Sequence, residues 1–140
     1  MNITFRESTK DDEAFIYSSW LNSSWLHNLH DIKKTLFFQN EKRDIAEILK
    51  SSKAIIACDP QTPQFIYGYI VFNRLDKETL IIHYIYVKEP LRRFKIANML
   101  IEEARKNGVN IIFCTYNKGK RTEHIMQKFF MMFKPQLRRL

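Results

Sequence analysis

A run of basic side chains stands where a strand-like segment gives way to a helix-like one: Tyr86-Val87-Lys88-Glu89-Pro90-Leu91-Arg92-Arg93-Phe94-Lys95-Ile96-Ala97-Asn98-Met99-Leu100. Such a junction presents the unpaired N–H groups of a helix start, and the helix dipole places partial positive charge at the same point. Arg92, Arg93 and Lys95 add full charges beside them. The segment therefore has the chemistry to hold a pyrophosphate, with backbone groups for geometry and side chains for attraction. A plainer alternative is a solvated basic turn ahead of an amphipathic helix. His83, in the apolar run just upstream, has an intrinsic pKa near neutrality and can accept a proton; its competing role is a structural one in a strand.

The charge of the whole chain has the same bias. Its formal net charge is +8, but residues 1–85 hold ten Lys/Arg against eleven Asp/Glu, whereas residues 86–140 hold thirteen against four. All the excess positive charge is C-terminal, which suits a phosphorylated ligand beginning near Lys88 or polyanions in general. With 45% apolar and 14% aromatic residues and few Gly or Pro, 140 residues read as one globular domain spanning 1–140. The N-terminal residues lack the apolar core of a signal peptide, and no apolar stretch approaches the ~20 residues that cross a bilayer, so a soluble, cytoplasmic protein with no membrane partner is expected. Cys58 and Cys114 stand singly in apolar runs without CxxC or His-rich surroundings, which points to reduced core residues and to no metal site.

The elements that must position the basic segment follow from periodicity. Residues 2–6 alternate as a short strand, and Thr9-Lys10-Asp11-Asp12 resembles a helix start. Ala14, Tyr17 and Leu21, with Ile16 and Trp20 beside them, form that helix's apolar face before Asn22-Ser23-Ser24 breaks the pattern. Trp20 and Trp25 have a core reading first and an acceptor-pocket reading second. Residues 31–38 and 41–49 read as one or two further helices, and 54–58, 65–72 and 80–87 as three strands, the last two joined by a short turn and therefore antiparallel. Residues 96–106 form the clearest helix, with Ile96, Met99, Leu100 and Ala104 on one face and Gly108 as its stop. A buried strand over 110–115, a loop over 117–120 and a helix over 122–130 complete an α/β chain with a mixed sheet covered by helices.

With these elements in order, the chain resembles the GNAT N-acetyltransferase superfamily, whose acyl-CoA loop reads Q/R-x-x-G-x-G/A between its fourth strand and third helix. Arg92-x-x-Lys95-x-Ala97 occupies that position, with Lys95 in place of the middle Gly; Ile85-Tyr86-Val87-Lys88 looks like the strand ending, and Ile3-Thr4-Phe5-Arg6-Glu7 with Asp11 and Asp12 like the opening strand and helix. The resemblance implies an acetyl-CoA cosubstrate held by Tyr86, Val87, Arg92, Arg93, Phe94, Lys95, Ile96 and Ala97, with Asn117 on the pantetheine side. It also implies transfer to an amine of unknown identity. The Glu often found early in the fourth strand falls near Leu80 or Ile81, and the usual tyrosine near the last helix falls at Lys128 or Phe130. Within that scheme His83 stands in as the general base, and Tyr116, ahead of Tyr84 and Tyr86, as proton donor to the leaving thiolate.

The family normally ends in two strands after the last helix, and about seven residues follow Phe133, so a truncated sheet is expected. Phe129-Phe130-Met131-Met132-Phe133 then either packs in the core, the first reading, or is covered by a second copy or another assembly partner. Three functions fit: an acyl-CoA-dependent N-acyltransferase, an inactive GNAT-fold subunit of an assembly such as a viral one, and a basic nucleic-acid-binding module using Arg92, Arg93, Lys118, Lys120, Arg121, Arg138 and Arg139.

Overall fold

A computed structural model describes residues 1–27, 34–106, 108–116 and 120–139. The strands are β1 (Thr4–Glu7), β2 (Lys53–Cys58), β3 (Ile66–Arg74), β4 (Thr79–Val87), β5 (Ile111–Cys114) and β6 (Met132–Phe133). They form one sheet in sequence order, with β1 to β4 antiparallel and β4–β5 and β5–β6 parallel. The helices are α1 (Glu13–His27), α2 (Lys34–Ser51), α3 (Ile96–Arg105) and α4 (Lys120–Lys128). This is the mixed sheet covered by helices that the pattern of periods requires.

Two apolar clusters divide the sheet by face. Ile96, Leu100, Ile101 and Ala104 of α3, with Phe129 beyond α4, pack on Ala57, Ile70, Phe72, Leu80 and Ile82. On the other face Ile16 and Trp20 of α1 and Ile45 and Ile48 of α2 pack on Ile56, Tyr69, Val71 and Tyr84. The buried stripe of α1 is therefore Ile16 and Trp20, one turn apart, while Ala14 is exposed; the helix also runs through Ser23 and Ser24 to His27. Trp25 lies on α1, and its side chain is outside the described ones. Of the one or two helices expected over 31–49, the structure has a single α2 from Lys34 to Ser51; residues 31–33 lie outside the described ones. Both cysteines are buried and unpaired, and burial pushes the Cys114 thiol up to about 11.

The start of the chain is pinned by charge. Arg6 on β1 donates to both Asp12 carboxylate oxygens at 2.8 and 2.9 Å, and the Thr9 amide donates to the same group at 2.8 Å. These bonds, the Arg6 guanidinium first, hold the Asp12 carboxyl below the usual carboxylate range. They fix the short 3-10 turn Lys10–Asp12 that launches α1.

The feature with most consequence for a site is a bulge in β4. Val71 pairs with Tyr84 but the next residue, Phe72, pairs with Ile82, so His83 is an extra residue on β4. The extra residue reverses the alternation of side chains. Leu80 and Ile82 before it, and Ile85 and Val87 after it, all face α3, while Tyr84 and Tyr86 face α1. Gly68 allows β3 to follow this bend, since a Cβ there would stand 2.4 Å from the Tyr86 carbonyl oxygen.

The end of the chain departs from a core reading. Phe129 is buried, but Phe130, Met132 and Phe133 are 87%, 45% and 43% exposed. The cause is that the chain after α4 adds only the two-residue edge strand β6. No second strand follows it among the described residues. Instead a 3-10 turn, Pro135–Arg139, crosses to α2, where Arg138 pairs with Glu41 at 3.5 Å.

Candidate functional site

β4 and β5 run together only over Thr79–Ile82 and Ile111–Cys114, with one further bond from the Thr115 amide to the Ile82 carbonyl at 3.0 Å. Beyond that point β4 continues to Val87 with no β5 partner among the described residues, so the two strands diverge into a V. The direction of the freed backbone groups follows from antiparallel alternation. Lys88 donates its amide to Tyr67 on β3, so Val87 and Ile85 turn their N–H and C=O groups toward the open side. Arg92 confirms this orientation, since its Nε donates to the Val87 carbonyl at 2.9 Å. The free edge from His83 to Val87 is roughly 13 Å long at the rise of a strand.

At its outer end the free edge meets the basic junction. Residues Glu89–Phe94 form a 3-10 turn, Lys95 adopts the left-handed conformation (φ 61°, ψ 28°), and α3 begins at Ile96. A left-handed residue after a right-handed turn makes successive amides converge into an anion-binding concavity. The first intrahelical bond is Met99 N–H to Lys95 C=O, and no side chain caps the helix. The N–H groups of residues 96–98 are thus left pointing out of the helix start. Ile96 is buried and can serve a ligand only through its backbone, while Arg92, Arg93, Phe94 and Lys95 are exposed around it. The structure therefore brings Val87, Arg92, Arg93, Phe94, Lys95, Ile96 and Ala97 together at one point. The Tyr86 backbone runs beside them, but its ring turns to the α1 face against Phe15 and Tyr69. Asn117 lies outside the described residues.

Lys95 in a left-handed position explains why this loop type favours glycine there. A side chain in that region costs about 1–2 kcal/mol of backbone strain, which glycine avoids. Lys95→Gly is expected to raise stability by about 0.5–1 kcal/mol in denaturant titration. Loss of the exposed ammonium should at the same time weaken any anion held at this junction by roughly two- to fivefold, read by calorimetry with pyrophosphate. An unchanged denaturation midpoint would mean that the strain is absent.

The apex of the V is held by His83, and here the general-base expectation needs correction. The ring is 2% exposed and bridges both neighbouring strands. With the Asn73 amide turned so that its nitrogen donates to the Ser51 carbonyl at 2.7 Å, its oxygen accepts from His83 Nε2 at 3.1 Å. On the other side Nδ1 accepts from the Thr115 hydroxyl at 3.0 Å. Both nitrogens are occupied, and burial, followed by the nearby Arg138 charge, lowers the imidazole pKa to about 4. A group that binds a proton so weakly, with no free lone pair, cannot relieve an ammonium ion near neutral pH. It is a bolt across β3, β4 and β5 at the point of divergence. Tyr116 lies one residue past that bolt, half-buried, with its ring edge-on to Tyr84 at 5.1 Å between centroids. Burial raises the Tyr84 phenol to about 12 and keeps it protonated.

Sequence reasoning missed Ile85, whose apolar side chain hides a backbone turned into the cleft, and Asn73 and Thr115, which orient His83. No residue type announces the bulge that creates all three roles.

No protein-family model matches the chain, and no curated protein matches it. Solved structures do. A Pyrococcus furiosus protein provisionally described as an acetyl transferase superposes with a TM-score of 0.68 at 15% identity, covering 91% of each chain. A GNAT-family acetyltransferase of Staphylococcus aureus gives a TM-score of 0.65 at 18% identity, covering 91% of this chain and 82% of that one. A GNAT-family acetyltransferase of Elizabethkingia anophelis, solved with acetyl-CoA bound, gives 0.60 at 22% identity over 91% and 74%.

Proposed function

We propose that this chain, which has the fold of the GNAT acetyltransferases, is an acyl-CoA-dependent N-acyltransferase that uses acetyl-CoA as cosubstrate. The observation that carries the reading is the free β4 edge, Ile85 and Val87, running from the His83 apex into the anion-binding junction at Arg92–Ala97. An extended pantetheine arm carries amide groups that pair with such an edge as an added strand would. Its pyrophosphate then falls at the start of α3, among Arg92, Arg93 and Lys95, and its thioester at the apex.

The chemistry at the apex is addition and elimination. An amine that has given its ammonium proton to solvent attacks the thioester carbonyl carbon; the C–N bond forms, the C–S bond breaks, and the nitrogen loses its second proton as the thiolate gains one. Tyr116 is the residue we assign to donate to the thiolate, given its place just beyond the divergence. With His83 unable to act as base, the rate rests on holding the reactants together, which alone can remove ~7–11 kcal/mol of barrier.

A second reading, a GNAT-fold subunit without catalysis, is favoured by the neutralised His83 and by exposed Phe130, Met132 and Phe133 beside the short edge strand. Calorimetric titration with acetyl-CoA, followed by thiol release in the presence of amines, separates the two. The acyltransferase is expected to bind acetyl-CoA less tightly as salt rises and to release CoA only when an amine is present. Binding without amine-dependent release would select the inactive subunit. No binding to any acyl-CoA, with tight binding to a protein or nucleic-acid partner, would remove the acyltransferase in favour of a repurposed fold.

A further inference from the structure

The wall of the cleft on the α1 face has a composition that restricts the acceptor, and the argument rests on the acyltransferase reading above. Tyr84 and Tyr86 on that face of β4, and Lys88 just past its end, follow one another from the apex to the mouth. The Tyr84 and Tyr116 rings meet at the apex, and Tyr86 packs against Phe15 of α1 at 5.8 Å and Tyr69 at 5.6 Å. Phe15, Tyr86 and Tyr116 are each half-buried at the margin of the core, with the Tyr116 hydroxyl turned inward. Lys88 closes the row, with Nζ 5.5 Å from the centre of the Phe15 ring. The cation position over this aromatic surface is thus already filled by the protein.

Polycationic acceptors need carboxylates to receive their remaining ammonium groups. Among the described residues, none of the side chains in this row is acidic. Glu41 faces Arg138 at the C-terminal turn, and Asp12 faces Arg6 at the far edge of the sheet. Lys88 itself stands at the end of the row, and Arg92 and Arg93 follow it in the chain with Glu89 the single acid between them in sequence. A second positive charge on the acceptor would meet repulsion here, whereas a negative one would meet Lys88 Nζ on a partly desolvated surface.

We propose that the acceptor is a monoamine with an aromatic body and a carboxylate, its ring lying against Phe15, Tyr86 and Tyr116, its carboxylate on Lys88 and its amine nitrogen at the apex. Transfer then forms the amide C–N bond and breaks the thioester C–S bond, with the thiol and one solvent proton as the other products.

The test measures kcat/KM for 4-(aminomethyl)benzoate, phenethylamine, spermidine and an aminoglycoside, alongside calorimetric affinity for acetyl-CoA, in wild type and Lys88→Glu. Wild type is expected to favour 4-(aminomethyl)benzoate over phenethylamine, and both over the polycations, by tenfold or more. Lys88→Glu should lower the ratio of 4-(aminomethyl)benzoate to phenethylamine at least tenfold. A Lys88→Gln variant, expected between the two, separates charge from packing. If acetyl-CoA binds and the polycations are the best acceptors, or no amine of the panel is accepted, or the ratio is the same in all three proteins, the acceptor assignment is overturned while the cosubstrate site stands. If acetyl-CoA does not bind at all, the parent reading fails and the acceptor assignment with it.

Discussion

Reversing the charge of Arg92 and Arg93 together is expected to weaken acetyl-CoA binding at least a hundredfold. Each arginine offers charge-assisted hydrogen bonds to phosphate, and such bonds contribute about 1.5–3 kcal/mol apiece when made. Replacement by Glu removes that attraction and adds repulsion at the same place, so ~1.4 kcal/mol per site, tenfold each, is a lower bound. Salt should narrow the difference between wild type and variant, because both side chains are exposed and the Debye length shrinks from about 10 Å at 0.1 M to about 3 Å at 1 M. Arg92 also clips the loop to the strand through the Val87 carbonyl, so a loss could arise from a loosened loop. The double Gln variant addresses this, since it breaks the clip without reversing charge and should fall between wild type and double Glu. Equal affinity for acetyl-CoA in wild type and the double Glu protein, measured by calorimetry with unchanged circular dichroism, removes the loop from the binding site.

That the loop could be found at all from sequence is a matter of which signals are local. Basic side chains, a strand ending and a helix beginning with Ile96, Leu100 and Ala104 on one face all lie within twenty residues, so their proximity needs no tertiary information. The left-handed Lys95 and the shape of the turn were not visible, because lysine gives no hint of a positive φ. The strands were legible for the same local reason, and β3 and β4 extend only a residue or two beyond the expected ends. What could not be read was register. The bulge at His83 depends on how β3 and β4 pair, with Gly68 admitting the close approach of Tyr86, and a period-of-two pattern through 80–87 gives no sign of a skipped partner. A histidine in a strand could therefore be read as a base, although the fold gives it two fixed partners 10 and 32 residues away, one on β3 and one just past β5. The C-terminal aromatic run failed for a related reason. Composition says that Phe130, Met132 and Phe133 are apolar, but burial needs something to lie over them, and among the described residues only the edge strand β6 follows α4.

The bolt at the apex makes its own prediction, and it concerns stability. An imidazole with a folded pKa of about 4 and an unfolded value of 6.5 binds fewer protons in the native state than in the denatured one. The sign follows from linkage: stability falls wherever the denatured state takes up protons that the native state refuses. The stabilising difference is therefore complete above pH 6.5, declines as the pH drops below it, and is exhausted once the pH passes below about 4. At ~1.4 kcal/mol per pKa unit the loss amounts to about 3 kcal/mol by pH 4. Asp12, also held below its ordinary value, acts in the same direction but at lower pH, where its own carboxyl titrates. The two can be separated by window. Chemical denaturation between pH 8 and pH 4 should show the native state weakening by that amount, mostly below pH 6.5. His83→Gln keeps a donor and an acceptor between Asn73 and Thr115 but has no proton to take up, so its stability should be nearly flat over the same range, starting about 1–2 kcal/mol lower from imperfect bonding. The same variant should still bind acetyl-CoA, because no ligand atom depends on the imidazole, and its transfer rate should show no lost limb near pH 6.5. Equal acid sensitivity in wild type and His83→Gln would place the titrating group elsewhere, and a rate that collapses in the variant with acetyl-CoA affinity intact would restore His83 to the chemistry.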